Sequence, residues 1–288
     1  MAEGIAVVRG GHRTLFKWHR ARKHGTDLPF TAERILEGMR LGASVEVDLV
    51  KHADGGFAVL HDFNLDHDTT GTGPVAAASA ALLRSLHLKD AAGQPTAHRL
   101  MLLEDLATLL ASGEGIAPEA ILQLDLKEDV AALGDREVAT FAASITPVAR
   151  HFILSGGHPR AIAALGDVVP ALAMGFDPCH EGTMEALLVG LDFPGFVAGA
   201  LVAAPRATTI YLEYRLVLFA AHHGFDLIAA FHRAGKTIDA YTINVANGES
   251  AAIAERLLAL KVDQITTDDP VGLEALLEHS PSPSPTSS

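Results

Sequence analysis

Ser44-Val45-Glu46-Val47-Asp48-Leu49-Val50 alternates valine with carboxylate, and how this run is read decides the fold. On a β-strand, Glu46 and Asp48 are two positions apart and point to the same side. Two acids side by side on an apolar strand are costly unless a cation or basic partners compensate. The run is therefore either a solvent-facing edge strand or a barrel strand whose carboxyl end opens into an active-site mouth. Working outward, β-rich runs recur at 14–19, 44–50, 121–127, 151–155, 171–176, 208–213, 237–244 and 263–267. Helical patterns lie between them at 31–41, 102–111, 135–145, 227–234 and 249–260. Eight strands alternating with helices predict a (β/α)8 TIM barrel over residues 1–279. A doubly wound open sheet competes, but no Gly-rich dinucleotide turn follows any of these strands. Residues 56–62 form a further short strand, and 64–96 a long insertion after the second barrel strand, rich in Thr, Gly and Ala. The stretch Ser-Pro-Ser-Pro-Ser-Pro-Thr-Ser-Ser at 280–288 reads as a disordered tail.

The chain has 288 residues, 49% hydrophobic and 20% charged, enough apolar content for a large core. No apolar run reaches the roughly 18 residues of a membrane span, and residues 1–11 lack a signal-peptide pattern. Cys179 is the single cysteine, so an intramolecular disulfide or a cysteine-held metal is excluded, and a cytoplasmic location is expected. The count of 35 Asp plus Glu against 22 Lys plus Arg gives a net charge of −13. Such a field disfavours nucleic acid and anionic membrane as partners. A small anionic substrate still fits where a metal or a few basic groups reverse the potential locally.

Asp125, in Gln123-Leu124-Asp125-Leu126-Lys127, repeats the acid-on-strand pattern. It is either a structural partner of Lys127 or the third member of a site with Glu46 and Asp48. Three carboxylates on two strand ends make an oxygen-ligand site suited to one divalent cation, Mg²⁺ or Ca²⁺. Of the 15 histidines, His19 and His61 stand out because each terminates an apolar strand. Facing a metal-bound anion, such a pair supplies one general base and one general acid near neutral pH. His12, His24, His52, His67, His222 and His223 are read as packing or surface residues.

Three segments then carry a resemblance: Trp18-His19-Arg20-Ala21, Gly42-Ala43-Ser44-Val45-Glu46-Val47-Asp48, and Asp54-Gly55-Gly56-Phe57-Ala58-Val59-Leu60-His61-Asp62. In order and spacing they resemble the signatures of the glycerophosphodiester phosphodiesterases. The likeness continues through Leu65, Thr69–Gly73, Leu103–Leu106, Gln123–Lys127, Tyr241–Asn244 and Val262–Pro270. The resemblance implies a metal-dependent phosphodiesterase site at the carboxyl face of the barrel. It assigns His19 and His61 as acid and base, and Glu46, Asp48 and Asp125 as metal ligands. It further implies that Arg20 and Lys127 contact the phosphate and that Tyr241 lines the substrate site. The chain departs from the family pattern at Pro29-Phe30-Thr31, where Pro-Glu-Asn is usual. Ala21 stands for a turn glycine, Asp125 for Glu and Tyr241 for Trp, and His12-Arg13 is a decoy for the first histidine.

The expected activity is hydrolysis of a glycerophosphodiester to an alcohol and glycerol 3-phosphate. Two alternatives remain open: a phospholipase D-like lipid phosphodiesterase on the same barrel, and a catalytically silent barrel that binds a phosphodiester or a protein. The polar ring of Tyr241, an insertion expected to cover the mouth, and the anionic surface favour a small water-soluble diester.

Overall fold

The computed structural model describes residues 3–180 and 182–279, so the 280–288 segment lies outside the described residues. Eight strands form the barrel: β1 (His12–Trp18), β2 (Ser44–Lys51), β3 (Ile121–Leu126), β4 (Phe152–Ser155), β5 (Ala173–Phe176), β6 (Thr209–Glu213), β7 (Thr237–Ile243) and β8 (Gln264–Thr267). Each pairs in parallel with its neighbour, and β8 pairs with β1 through Leu15–Trp18. Closure is completed where β1 meets β2, with Lys17 beside Ser44 and Trp18 beside Val45. All eight predicted strands are present, and the (β/α)8 barrel expected from the sequence is the fold.

The alternation in β2 explains its burial. Val45, Val47 and Leu49 join the outer core with Ile35 and Met39 of the helix α1 (Ala32–Leu41). Glu46 and Asp48, on the other side of the strand, are buried inside the barrel. α1 lies unusually close to the strands because Gly38 has no side chain. A Cβ there would stand 2.6 Å from Val45 Cγ2 and 3.2 Å from Trp18 Cε3. A second apolar layer, including Phe16, Ile210, Leu212, Ile238 and Ile265, packs under the helices of the other half.

Two features go beyond the sequence reading. A strand at Ala6–Arg9 folds back antiparallel on β1 through Gly10-Gly11, whose φ values of 55° and 79° suit a tight two-residue hairpin turn. The insertion is structured rather than a loop, with a short helix at Ala80–Ser85 and a two-stranded ribbon of His87–Lys89 with Pro95–Arg99. Its Leu65, Val75, Leu83, Leu86 and Leu88 pack on Val50, Ala58 and Leu60 in a separate small core.

Candidate active site

The register of the barrel builds the acidic centre. Asp48 of β2 is level with Asp125 of β3, and Asp125 with Ser155 of β4; one layer away, Glu46 is level with Gln123. Carboxylate oxygens of Glu46, Asp48 and Asp125 lie within 4.8 Å of one another, a cluster that could bind an ion. Lys127 ties two of them, its Nζ standing 2.7 Å from Asp48 Oδ1 and 2.5 Å from Asp125 Oδ2. Asp125 thus pairs with Lys127 and also belongs to the acidic cluster.

Protonation follows this crowding. Burial, then the charges of Asp48 and Asp125, push the Glu46 carboxyl well above the usual carboxylate range. Burial also opposes ionisation of Asp125, but Lys127 and the Ser155 hydroxyl hold its carboxyl below that range. Lys127 is raised: burial works against its charge, and Asp125, Asp48 and Glu46 outweigh it. Three acids, two of them buried, outnumber the one lysine among them, and oxygen donors of this kind suit a hard divalent cation.

The turn after β1 brings the first basic groups to this centre. Arg20 and Ala21 both occupy the left-handed region, with φ of 53° and 58°. That bend lets the Arg20 backbone N–H donate to Glu46 Oε2 at 2.7 Å, while Arg20 Nε stands 3.4 Å from Asp48 Oδ2. His19 and His61 line the same cavity as the three acids. His19 Nδ1 is 2.7 Å from Asp268 Oδ1, an oxygen that also accepts from Arg22 at 2.8 Å. Burial opposes the charge on Asp268, yet its bonds to His19 and Arg22 hold the carboxyl below the usual range. His61 Nδ1 is 2.6 Å from Asp62 Oδ1. In each pair a carboxylate fixes one ring nitrogen and leaves Nε2 for chemistry. By contrast, His12 lies at the amino end of β1 with Nε2 on the Val262 carbonyl, and His52 is buried.

The cavity, about 410 Å³, also contains residues that sequence reasoning did not select: Asp177, His180, Glu213, Arg215, Asn244 and Thr266. Asp177 Oδ2 accepts from the Tyr241 hydroxyl at 2.6 Å and stands 2.9 Å from His180 Nε2. The bond to Asp177 raises the His180 pKa against the opposing effect of burial. Burial and the Asp177 charge keep the Tyr241 phenol protonated far above its usual range. Below the mouth, Lys17 is buried, 2.7 Å from Asp239 Oδ2, and donates to Gln123 Oε1. Gln123 Nε2 donates to Ser155 Oγ at 2.7 Å, and Ser155 Oγ to Asp125 Oδ1 at 3.1 Å. A continuous hydrogen-bonded chain thus links a buried lysine to the acidic centre.

One expectation is corrected. No residue of the 64–96 insertion lines the cavity. Its apolar residues are consumed by the small core they form with Val50, Ala58 and Leu60.

The fold and cavity define a (β/α)8 barrel whose polar site sits at the carboxyl ends of the strands, where barrels carry their chemistry. The chain belongs to the glycerophosphoryl diester phosphodiesterase family, which it matches over residues 24–271. His19 and Arg20 lie just ahead of the matched segment. No curated protein sequence matches the chain. Among solved structures, a candidate glycerophosphoryl diester phosphodiesterase from Silicibacter pomeroyi is similar at 20% identity, with 95% of this chain and 94% of that one covered and a TM-score of 0.68. A candidate glycerophosphodiester phosphodiesterase from Galdieria sulphuraria gives 17% identity, 92% and 98% coverage and a TM-score of 0.71. An Oleispira antarctica phosphodiesterase, solved with its product sn-glycerol-3-phosphate, gives 17% identity, 91% and 96% coverage and a TM-score of 0.63. At these identities the neighbours establish the fold. Among the described residues no helix is long and apolar enough to cross a membrane.

Proposed function

We propose that the chain is a divalent-metal-dependent phosphodiesterase that hydrolyses a glycerophosphodiester to an alcohol and glycerol 3-phosphate. The observation that carries this reading is the convergence of Glu46, Asp48 and Asp125 within 4.8 Å, in one cavity with His19 and His61, in a chain of this family. Glu46, Asp48 and Asp125 would hold one Mg²⁺ or Ca²⁺. The bound ion supplies charge neutralisation of the phosphate and stabilisation of the negative charge that develops on it.

The chain's own residues do the rest. Arg20 and Lys127 bind the non-bridging phosphate oxygens. One of His19 and His61 takes a proton from the attacking water, or from a neighbouring substrate hydroxyl whose cyclic phosphate water then opens, and the other donates a proton to the departing alkoxide. Asp268 and Asp62 keep each ring in the tautomer that presents Nε2 and stabilise the imidazolium while it lasts. Tyr241, held by Asp177, forms part of the wall against which the substrate lies. The lone thiol, Cys179, is consistent with residence in the reducing cytoplasm.

The test is release of glycerol phosphate from a panel of glycerophosphodiesters, in chelator and with added Mg²⁺ or Ca²⁺. Hydrolysis is expected to vanish in chelator and to return with one of the ions. Full turnover in chelator would refute metal dependence, and no turnover with either ion would refute the phosphodiesterase reading.

A further inference from the structure

Apart from Tyr241 and the Asp177 that holds it, the roles above leave one side of the cavity without a task. The histidines and acids belong to β1–β3 and the loops beside them. Across the barrel, the ends of β5, β6 and β7 present Asp177, His180, Glu213, Arg215, Tyr241 and Asn244. Resting on the phosphodiesterase reading, we propose that this wall selects diesters in which both alcohols are polyols. It reads hydroxyl groups and disfavours acyl chains and quaternary-ammonium head groups.

The first argument is the chemistry of the lining. Among the described residues that line the cavity, none is aliphatic. An acyl chain entering it would strip water from charged groups without replacing their hydrogen bonds. A hydroxyl is donor and acceptor at once, and therefore fits where an N–H donor and a carboxylate stand side by side. The wall has two such pairs: His180 Nε2 with Asp177 Oδ2 at 2.9 Å, and Arg215 Nη1 with Glu213 Oε1 at 2.7 Å.

The second argument excludes an ammonium cage, which needs free aromatic faces or unpaired carboxylates around the cation. The aromatic faces are taken. Of the two tyrosines that line the cavity, Tyr211 has Lys17 Nζ 4.2 Å from the centre of its ring. Tyr241 is left as a single cavity-lining ring, and one ring is not a cage. Nor is either carboxylate unpaired: Asp177 stands against His180 and the Tyr241 hydroxyl, and Glu213 against Arg215, so each presents a donor–acceptor pair to a hydroxyl rather than a lone negative charge to an ammonium.

The third argument is preorganisation. His180 rests on Gly157 in the loop after β4, where an added Cβ would lie 2.2 Å from His180 Cδ2. With Asp177 on Nε2 and Gly157 beneath the ring, the His180 side chain is held from two directions. A wall of such donor–acceptor pairs favours a ligand whose hydroxyls can join them over one that lacks hydroxyls.

The experiment compares kcat/KM for glycerophosphoglycerol and glycerophosphocholine in the metal-loaded wild type, Asp177→Asn, His180→Gln and Glu213→Gln. The wild type is expected to favour the polyol diester by at least about tenfold, some 1.4 kcal/mol of transition-state binding. Each variant should lower that ratio severalfold. Reading the ratio removes the effect of a variant that folds poorly, because such a loss scales both substrates together. A wild-type ratio of one or below, or a ratio unmoved in all three variants, overturns the proposal. Failure to hydrolyse either diester overturns the phosphodiesterase reading itself, and this proposal with it.

Discussion

Glu46→Gln is expected to make the protein more stable in chelator while removing its response to metal. Glu46 is buried, with its carboxylate oxygens within 4.8 Å of those of Asp48 and Asp125. At an effective dielectric of about 20, each such repulsion amounts to roughly 3.5 kcal/mol. The attraction to Lys127 returns on the order of one such increment, and the Arg20 N–H bond to the carboxylate about 1–2 kcal/mol. The net burden of the charge is roughly 1.5–2.5 kcal/mol. Glutamine keeps an oxygen to accept from Arg20 and sheds the charge. For a domain of this size that corresponds to a rise in Tm of about 3–4 °C. The pH dependence has a definite sign. Burial and two acidic neighbours raise the Glu46 pKa in the folded state, so the folded protein holds the proton that the unfolded chain releases first. Wild-type stability in chelator therefore falls as pH rises from the unfolded carboxyl value of about 4.3 toward the higher folded value. The advantage of the variant should be absent in acid and open over that window. Thermal melts of both proteins across pH, in chelator and then with Mg²⁺ or Ca²⁺, measure all of this. A variant less stable than wild type in chelator at alkaline pH, or one that metal stabilises as much as wild type, would refute the reasoning.

His19→Ala and His61→Ala should each lower turnover by roughly 10²–10⁴-fold, with His12→Ala close to wild type; a dead His12 variant beside a live His19 variant would place the first histidine wrongly. Ser155→Ala removes the hydroxyl that donates to Asp125 Oδ1 at 3.1 Å and should weaken metal binding by about 10–100-fold. Calorimetry reads this directly, and an unchanged Kd would show that the chain from Lys17 does not orient Asp125. Lys17→Met strands the buried Asp239 carboxylate and should cost roughly 3–5 kcal/mol in denaturant melts. The double change Lys17→Met with Asp239→Leu should recover most of that loss, and a double variant no better than the single one would count against the pair as the cause.

The barrel was legible because parallel strands covered on both sides read as short apolar runs bounded by charge. Every one of the eight predicted runs overlaps a barrel strand, with ends differing by two residues at most. Glu46, Asp48, Asp125, His19 and His61 were legible because each interrupts or ends such a run. The same rule, applied to all strands, would also have found Asp177 directly after β5 and Glu213 at the end of β6. His180 could not be found so: it sits in the irregular Asp-Pro-Cys-His loop, and only the missing side chain at Gly157 gives it room. The Ala6–Arg9 strand did carry a signal, since Gly-Gly between two short apolar runs is a hairpin turn. The insertion was misread for the opposite reason. Its small and polar residues look like a loop, while its scattered leucines find a core only through the distant partners Val50 and Leu60.

The turn at Arg20-Ala21 shows what residue types alone leave out. Two consecutive L-residues in the left-handed region cost on the order of 1–2 kcal/mol each, and a glycine at the second would remove part of that strain. Ala21 nevertheless holds φ of 58° and is wholly buried in the core below α1, so its methyl group has packing that glycine would forfeit. The bend also turns the Arg20 N–H onto Glu46 and the guanidinium toward Asp48, while His19, one residue earlier, meets Asp268 across the β1–β8 seam. A relaxed turn would break these three contacts together, separating the first histidine from the acidic centre. Strain persists at such a place when the surrounding contacts over-determine it. The absent glycine therefore does not abolish the bend: packing and three polar contacts hold it with alanine in the second position.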